Sequence, residues 1–350
     1  MNILIAPDSF KGSLTSEDVC SIIASALPKE NSITAIPLSD GGEGFAECMQ
    51  NLCKGSKLYT KCHNIYNQEI DGFIVAGGYT AIIDVATASG LLKRKNVMQA
   101  SSYGTGELIR FAAENGFKHI VLGLGGSGCC DGGMGCLAAL GARFYDENQN
   151  VIKHPKANDL NYIFGADFRE VVKDIDFTFA CDVENEYFGP NGAAYVFAPQ
   201  KGARQTDVQE LDDGLKRLNA FFKKDIRSIK GGGAAGGICG GLYAIYGGTI
   251  KSGFDIISEA CRLEEKIKNA DLVITGEGQT DSQTLMGKLP YKICKLAQKH
   301  GKKCVLISGS IDDVELGDKM ISLVDDTIDT DTAIKNAKEI LAEKAKLILQ

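Results

Sequence analysis

A chain of 350 residues exceeds the roughly 250–300 at which a single hydrophobic core stops growing, so two domains are expected. Its composition, 44% hydrophobic and 24% charged, is that of a globular chain, and no apolar run approaches the roughly 20 residues that cross a bilayer. A formal net charge of −7 without any long Lys/Arg run argues against nucleic acid as the main partner, and an anionic substrate would have to be met by local positive groups.

In chain order, Met1-Asn2-Ile3-Leu4-Ile5 lacks the basic flank and long apolar stretch of a signal peptide. It reads as a first strand over residues 3–6, and the protein is expected in the cytoplasm. Thr15-Ser16-Glu17-Asp18 is a capping-box pattern ahead of Val19, Ile22, Ile23, Ala26 and Leu27 at helical spacing. A strand over residues 33–38 and a helix with Phe45, Cys48, Met49 and Leu52 on one face complete an α/β unit. Residues 57–62, 70–76 and 81–85 then alternate in short runs, which predicts antiparallel hairpins and the start of a second domain.

Helical spacing returns over residues 105–115, with Gly116 as C-cap, and again after Val208 through Leu211, Leu215, Leu218 and Phe222. Buried strands are expected at 272–275 and 304–308, with a helix at 291–300 between them and a closing helix at 332–349. The predicted fold class is α/β, with two α/β domains. A parallel, Rossmann-like sheet domain of residues 1–58 and 255–350 is interrupted by an inserted mixed α/β domain of residues 59–254. The twelve cysteines form neither a Cys-x-x-Cys pair nor a zinc pattern and read as core thiols of a reducing compartment. His63, His119, His154 and His300 share no motif and carry no predicted chemistry.

Forty-one glycines fall in clusters, and several predicted strands end in a loop that joins glycine to a charged side chain. These loops hold Asp8, Ser9 and Lys11; Asp40 and Glu43; the stretch of residues 125–133; Asp182; and Glu277 with Asp281. Open α/β sheets place ligands at such strand ends. Gly125, Gly126, Ser127, Gly128, Asp131, Gly132 and Gly133 lie between a predicted strand and helix, where backbone N–H groups cradle a polyphosphate. Gly123 to Gly128 also matches Gly-x-Gly-x-x-Gly, with Asp146 at the distance of a ribose-binding acid, so a dinucleotide-binding oxidoreductase is a rival reading. Gly231 to Gly236 matches the same pattern, which shows how cheaply a glycine-rich chain yields it.

Gly287-Lys288 does not complete a Walker A sequence, and the His-Arg-Asp and Asp-Phe-Gly signatures of protein kinases are absent. The segment from Gly276 to Pro290 brings two carboxylates near a lysine. Magnesium takes one or two carboxylates plus phosphate oxygens and waters, so Glu277 and Asp281 are candidate ligands and Lys288 a phosphate partner.

Those loops, together with Pro37, Gly189, Pro190, Gly192, Pro199-Gln200-Lys201-Gly202-Ala203 and Gly233-Ala234-Ala235-Gly236-Gly237, give a chain that resembles the type 1 glycerate kinases from residue 1 to about residue 349. The resemblance implies ATP and Mg2+, D-glycerate as acceptor, two α/β domains with the site between them, and 2-phosphoglycerate as product. 3-Phosphoglycerate is the alternative. Asp8, Ser9, Asp40, Glu43 and Lys201 are then candidate glycerate contacts, and Asp182, Lys11 and Lys288 candidate catalytic groups.

Asp182 is the first candidate for the base that accepts the hydroxyl proton, with Asp8 and Asp40 as competitors. Lys11 and Lys201 can each reach a phosphate or the glycerate carboxylate. The chain departs from the family in Cys129-Cys130, where Thr-Asn is usual, and in Phe45, where threonine is common. The latter leaves the helix that follows short of a cap. A non-catalytic anion-binding protein would not need Glu277, Asp281 and Lys288 together.

Overall fold

The computed structural model describes residues 1–39 and 44–350. The strands, in chain order, are β1 (Asn2–Ile5), β2 (Ser32–Ala35), β3 (Ser56–His63), β4 (Glu69–Gly77), β5 (Thr80–Asp84), β6 (His119–Gly123), β7 (Arg143–Tyr145), β8 (Gly165–Asp167), β9 (Asp176–Ala180), β10 (Thr249–Lys251), β11 (Leu272–Thr280), β12 (Lys303–Ile311) and β13 (Lys319–Ser322). The fold is mixed α/β, with a five-stranded parallel sheet, a six-stranded mixed sheet and a two-stranded antiparallel ribbon of β7 and β8. The chain divides into two compact units, Met1–Asp40 with Phe254–Gln350, and Gly41–Gly253.

The first unit holds the parallel sheet, in the order β13-β12-β11-β1-β2. Its central strands are almost continuously apolar, as burial on both faces requires. Ile3, Ile5, Leu272, Ile274, Val305 and Ile307 pack on one face with Val19 and Ile23 of the helix Ser16–Ala26 and Leu341 of Ala337–Ala345. Thr15 caps the first of these helices, its Oγ1 accepting from Asp18 N at 3.1 Å. From β1 the chain crosses through that helix to β2, whereas from β11 it crosses through Leu289–Lys299 to β12 on the opposite side. Right-handed crossovers in opposite directions place their helices on opposite faces, and the sheet reverses direction between β1 and β11. A crevice opens at the carboxyl ends of those two strands. The predicted closing helix is broken: Thr330–Lys335 and Ala337–Ala345 meet at Asn336, whose backbone leaves the helical region at φ −113°.

The second unit holds the mixed sheet, in the order β10-β9-β6-β5-β4-β3. The expected hairpins are β3 on β4 and β4 on β5, both antiparallel, while β5, β6, β9 and β10 run parallel. Leu211, Leu215 and Leu218 of the helix Gln205–Asn219 are fully buried in its core.

The helix Phe45–Cys53 belongs to this second unit, not to residues 1–58 of the first as the sequence pattern predicts. The reason is non-local. Asp84, at the end of β5, accepts from the Ala46 N–H at 3.1 Å and supplies the cap that the helix lacks in its own sequence. Phe45 is wholly buried, and its ring lies so near Gly123 that a Cβ there would approach it to 3.0 Å.

Candidate active site

Asp8, Ser9, Lys11, Glu277, Asp281 and Lys288 line one cavity of about 410 Å³ in the first unit. Asp8 follows β1, and its N–H donates to Gly276 O at 2.9 Å, which binds the loop to the neighbouring strand. Its carboxylate turns back on Ser9, accepting from the backbone N–H at 2.7 Å. Gly278 permits the contact between loop and strand, because a Cβ there would stand 3.0 Å from Lys11 N.

Glu277 is only 6% exposed, three residues before the carboxyl end of β11. Its Oε1 accepts from Thr284 Oγ1 at 2.7 Å and Thr280 Oγ1 at 3.1 Å. Burial pushes its carboxyl above the ordinary carboxylate range, while Thr284, the Lys288 charge and Thr280 pull it back. At Asp281 burial acts in the same upward direction but is outweighed by the Thr284 N–H, the Lys288 charge and the Gln283 N–H, so that carboxyl lies below its usual value. Lys288 Nζ stands 3.5 Å from Asp281 and 3.9 Å from Glu277.

The two carboxylates thus converge on one cationic group. Among the described residues no cluster of three or more His, Cys, Asp or Glu side chains forms a metal site. A metal held here would rest on two carboxylates plus phosphate oxygens and water, a donor set that fits magnesium. Thr280, Thr284 and Ser308 belong to the same network, with Thr280 and Ser308 hydroxyls 2.7 Å apart. They were not singled out in the sequence, although two of them lie inside the segment from Gly276 to Pro290.

In the second unit, Gly125, Gly126 and Ser127 follow β6, and Asp182 follows the adjacent β9. Lys201 is 2% exposed, and its Nζ donates to Ser127 Oγ at 2.9 Å and Cys129 O at 2.7 Å. Asp182 is exposed and accepts from the Gly253 N–H at 3.3 Å. Asp84 ends β5, beside β6, and its carboxylate serves the Ala46 N–H. Asp40 and Glu43 lie outside the described residues.

The predicted cradle at 125–133 needs correction. Asp131 is fully buried, and its carboxylate accepts from Ser102 N at 2.7 Å, Ser102 Oγ at 2.8 Å, Gly133 N at 3.2 Å and Gly135 N at 3.1 Å. Burial raises its pKa, and those bonds work against the rise. The chain's own anion therefore takes the start of the helix Met134–Ala139. Gly128 N donates to Ser89 O at 2.8 Å and Gly132 N to Gly236 O at 3.0 Å. Gly128, Asp131, Gly132 and Gly133 are all buried, which leaves Gly125, Gly126 and Ser127 as the part a ligand can reach.

Asp131→Ala is accordingly expected to cost about 3–5 kcal/mol, since several buried donors lose their acceptor at once. Chemical denaturation measures this, and a cost below about 1 kcal/mol would return Asp131 to the list of ligand contacts.

The dinucleotide pattern also fails in its context. No helix opens at Gly128, and Asp146 is a half-buried turn residue accepting from Asn148 N at 2.9 Å and Asn150 N at 2.8 Å. In the second match, at Gly231 to Gly236, a 3-10 turn with Ala235 at φ 54° replaces the expected helix start.

The family model described as "Glycerate kinase family" matches residues 3–350. The Escherichia coli K12 protein named glycerate 2-kinase is 38% identical over 328 residues, covering 89% of this chain and 86% of that one. A Bacillus subtilis 168 glycerate kinase is 32% identical, covering 99% and 96%. A crystal structure of a Salmonella typhimurium LT2 protein assigned as glycerate kinase 2 superposes with a TM-score of 0.88 at 35% identity, covering 99% of this chain and 97% of that one.

Proposed function

Because the chain belongs to the glycerate kinase family of phosphotransferases, we propose that it transfers the γ-phosphoryl group of ATP to D-glycerate in the presence of Mg2+, giving 2-phosphoglycerate. The observation that carries this reading is the buried Glu277, flanked by Asp281 and Lys288, in a cavity at the carboxyl ends of a parallel sheet. Glu277 and Asp281 would hold the magnesium ion, whose charge neutralises phosphate oxygens.

Lys288 and Lys11 add positive charge for the phosphates, and Lys201 with Ser127, Gly125 and Gly126 receives an anionic group of the reactants. Asp8 and Ser9, with Asp40 and Glu43, orient glycerate. The glycerate hydroxyl oxygen attacks the γ-phosphorus, its proton passes to Asp182, and the bond to the leaving ADP breaks. Phosphoryl transfer asks for positioning and charge neutralisation more than for covalent help, and these groups supply both. We read the Gly41–Gly253 unit as a mixed domain inserted into a Rossmann-like one, and the working location as the cytoplasm.

Glycerate-dependent release of ADP, followed with and without magnesium, tests the activity. Phosphorus NMR of the product distinguishes 2-phosphoglycerate from 3-phosphoglycerate. A folded sample that releases no ADP with glycerate and magnesium present overturns the proposal.

A further inference from the structure

We infer that the apolar side of the first unit's cavity, formed by Val324, Ala333 and Ile334, seats the purine ring of the nucleotide, with its phosphates directed to the end that carries Glu277, Asp281 and Lys288. The inference rests on the kinase reading and adds to it which surface recognises the base. The cavity has two chemically distinct sides. One carries two carboxylates and a lysine. The other is built where the chain leaves β13, at Val324, and where the short helix Thr330–Lys335 presents Ala333 and Ile334.

Ile334 is 47% exposed although it borders a cavity, so its side chain offers apolar surface that a ligand can cover. Each carbon of glycerate bears oxygen, so that acid presents no apolar face to this wall. A purine presents two flat faces, and removing them from water against aliphatic side chains is favourable. The volume of about 410 Å³ lies within the range of about 300–1,000 Å³ found for small-molecule sites. The position also agrees: the wall lies on the β12–β13 side of the sheet, displaced from the reversal between β1 and β11 where the charged groups gather.

Calorimetric titration of the full chain with ADP and, separately, with inorganic pyrophosphate tests the assignment, because only ADP carries the ring. Ile334→Ala is expected to weaken ADP binding about threefold to tenfold, and Ala333→Leu, which fills the seat, at least about tenfold. Pyrophosphate binding stays at its wild-type value in both. Ile334 is exposed, so its variant reports even if the buried Ala333→Leu fails to fold. Wild-type affinity for ADP in the Ile334→Ala chain, equal losses for ADP and pyrophosphate, or no ADP binding by the wild type would each overturn the purine seat. Glycerate-dependent ADP release is followed in parallel. Turnover with unaltered ADP affinity in the variants removes the seat and leaves the kinase reading standing, whereas ADP bound through this wall without turnover does the reverse.

Discussion

Asp182→Asn is expected to lower the turnover number about 100-fold to 10,000-fold while the thermal midpoint and ATP affinity change little. The side chain is exposed at the end of β9, and its bond to the Gly253 N–H can be kept by an amide oxygen of the same shape. What asparagine cannot do is accept the hydroxyl proton of the acceptor at neutral pH. A turn residue without chemical duty would show the opposite pattern, with at most about 1 kcal/mol of stability lost and turnover near normal. Steady-state kinetics beside a thermal melt separates the two. Normal turnover would transfer the base role to Asp8 or Asp40, and the same substitution there becomes the next measurement.

Glu277→Gln should lower the turnover number about 100-fold to 1,000-fold and raise the magnesium concentration needed for half-maximal rate. Glutamine preserves the volume of this buried side chain, and its amide oxygen can still accept from Thr284 and Thr280. The loss is the negative charge, which in the wild type faces Lys288 together with Asp281. Rates measured across a magnesium series decide the matter. A near-normal rate with an unshifted magnesium dependence would mean that Glu277 holds β11 to its neighbours through hydroxyls and binds no metal.

Features set by neighbours in the chain were legible before the structure. The helix after Thr15 could be read because cap, acidic first turn and apolar spacing lie within a dozen residues, and the structure keeps all three. The same holds for the hairpins of β3, β4 and β5, where alternation and turn residues are local signals. Asp8, Ser9, Lys11, Glu277, Asp281 and Lys288 could be picked out because the two segments that hold them, residues 7–12 and 276–290, each join a strand to glycines and charged side chains.

Tertiary structure decided what depends on partners far along the chain. Asp131 lies in a glycine loop as promising as any, yet its carboxylate is consumed by donors that include Ser102, 29 residues away. The helix at Phe45 changed domain because its cap comes from Asp84, 38 residues beyond the Ala46 whose N–H it accepts. Val324, Ala333 and Ile334 look in the sequence like ordinary members of a strand end and a helix, and only the arrangement of the sheet brings them to the cavity that Glu277 enters. The sequence by itself thus determined which side chains carry charge, which segments form strands and helices, and which loops hold glycine. Whether a carboxylate meets a ligand or the protein's own N–H groups was decided by burial and long-range hydrogen bonding, because an ion removed from water must be satisfied by whatever the fold places beside it.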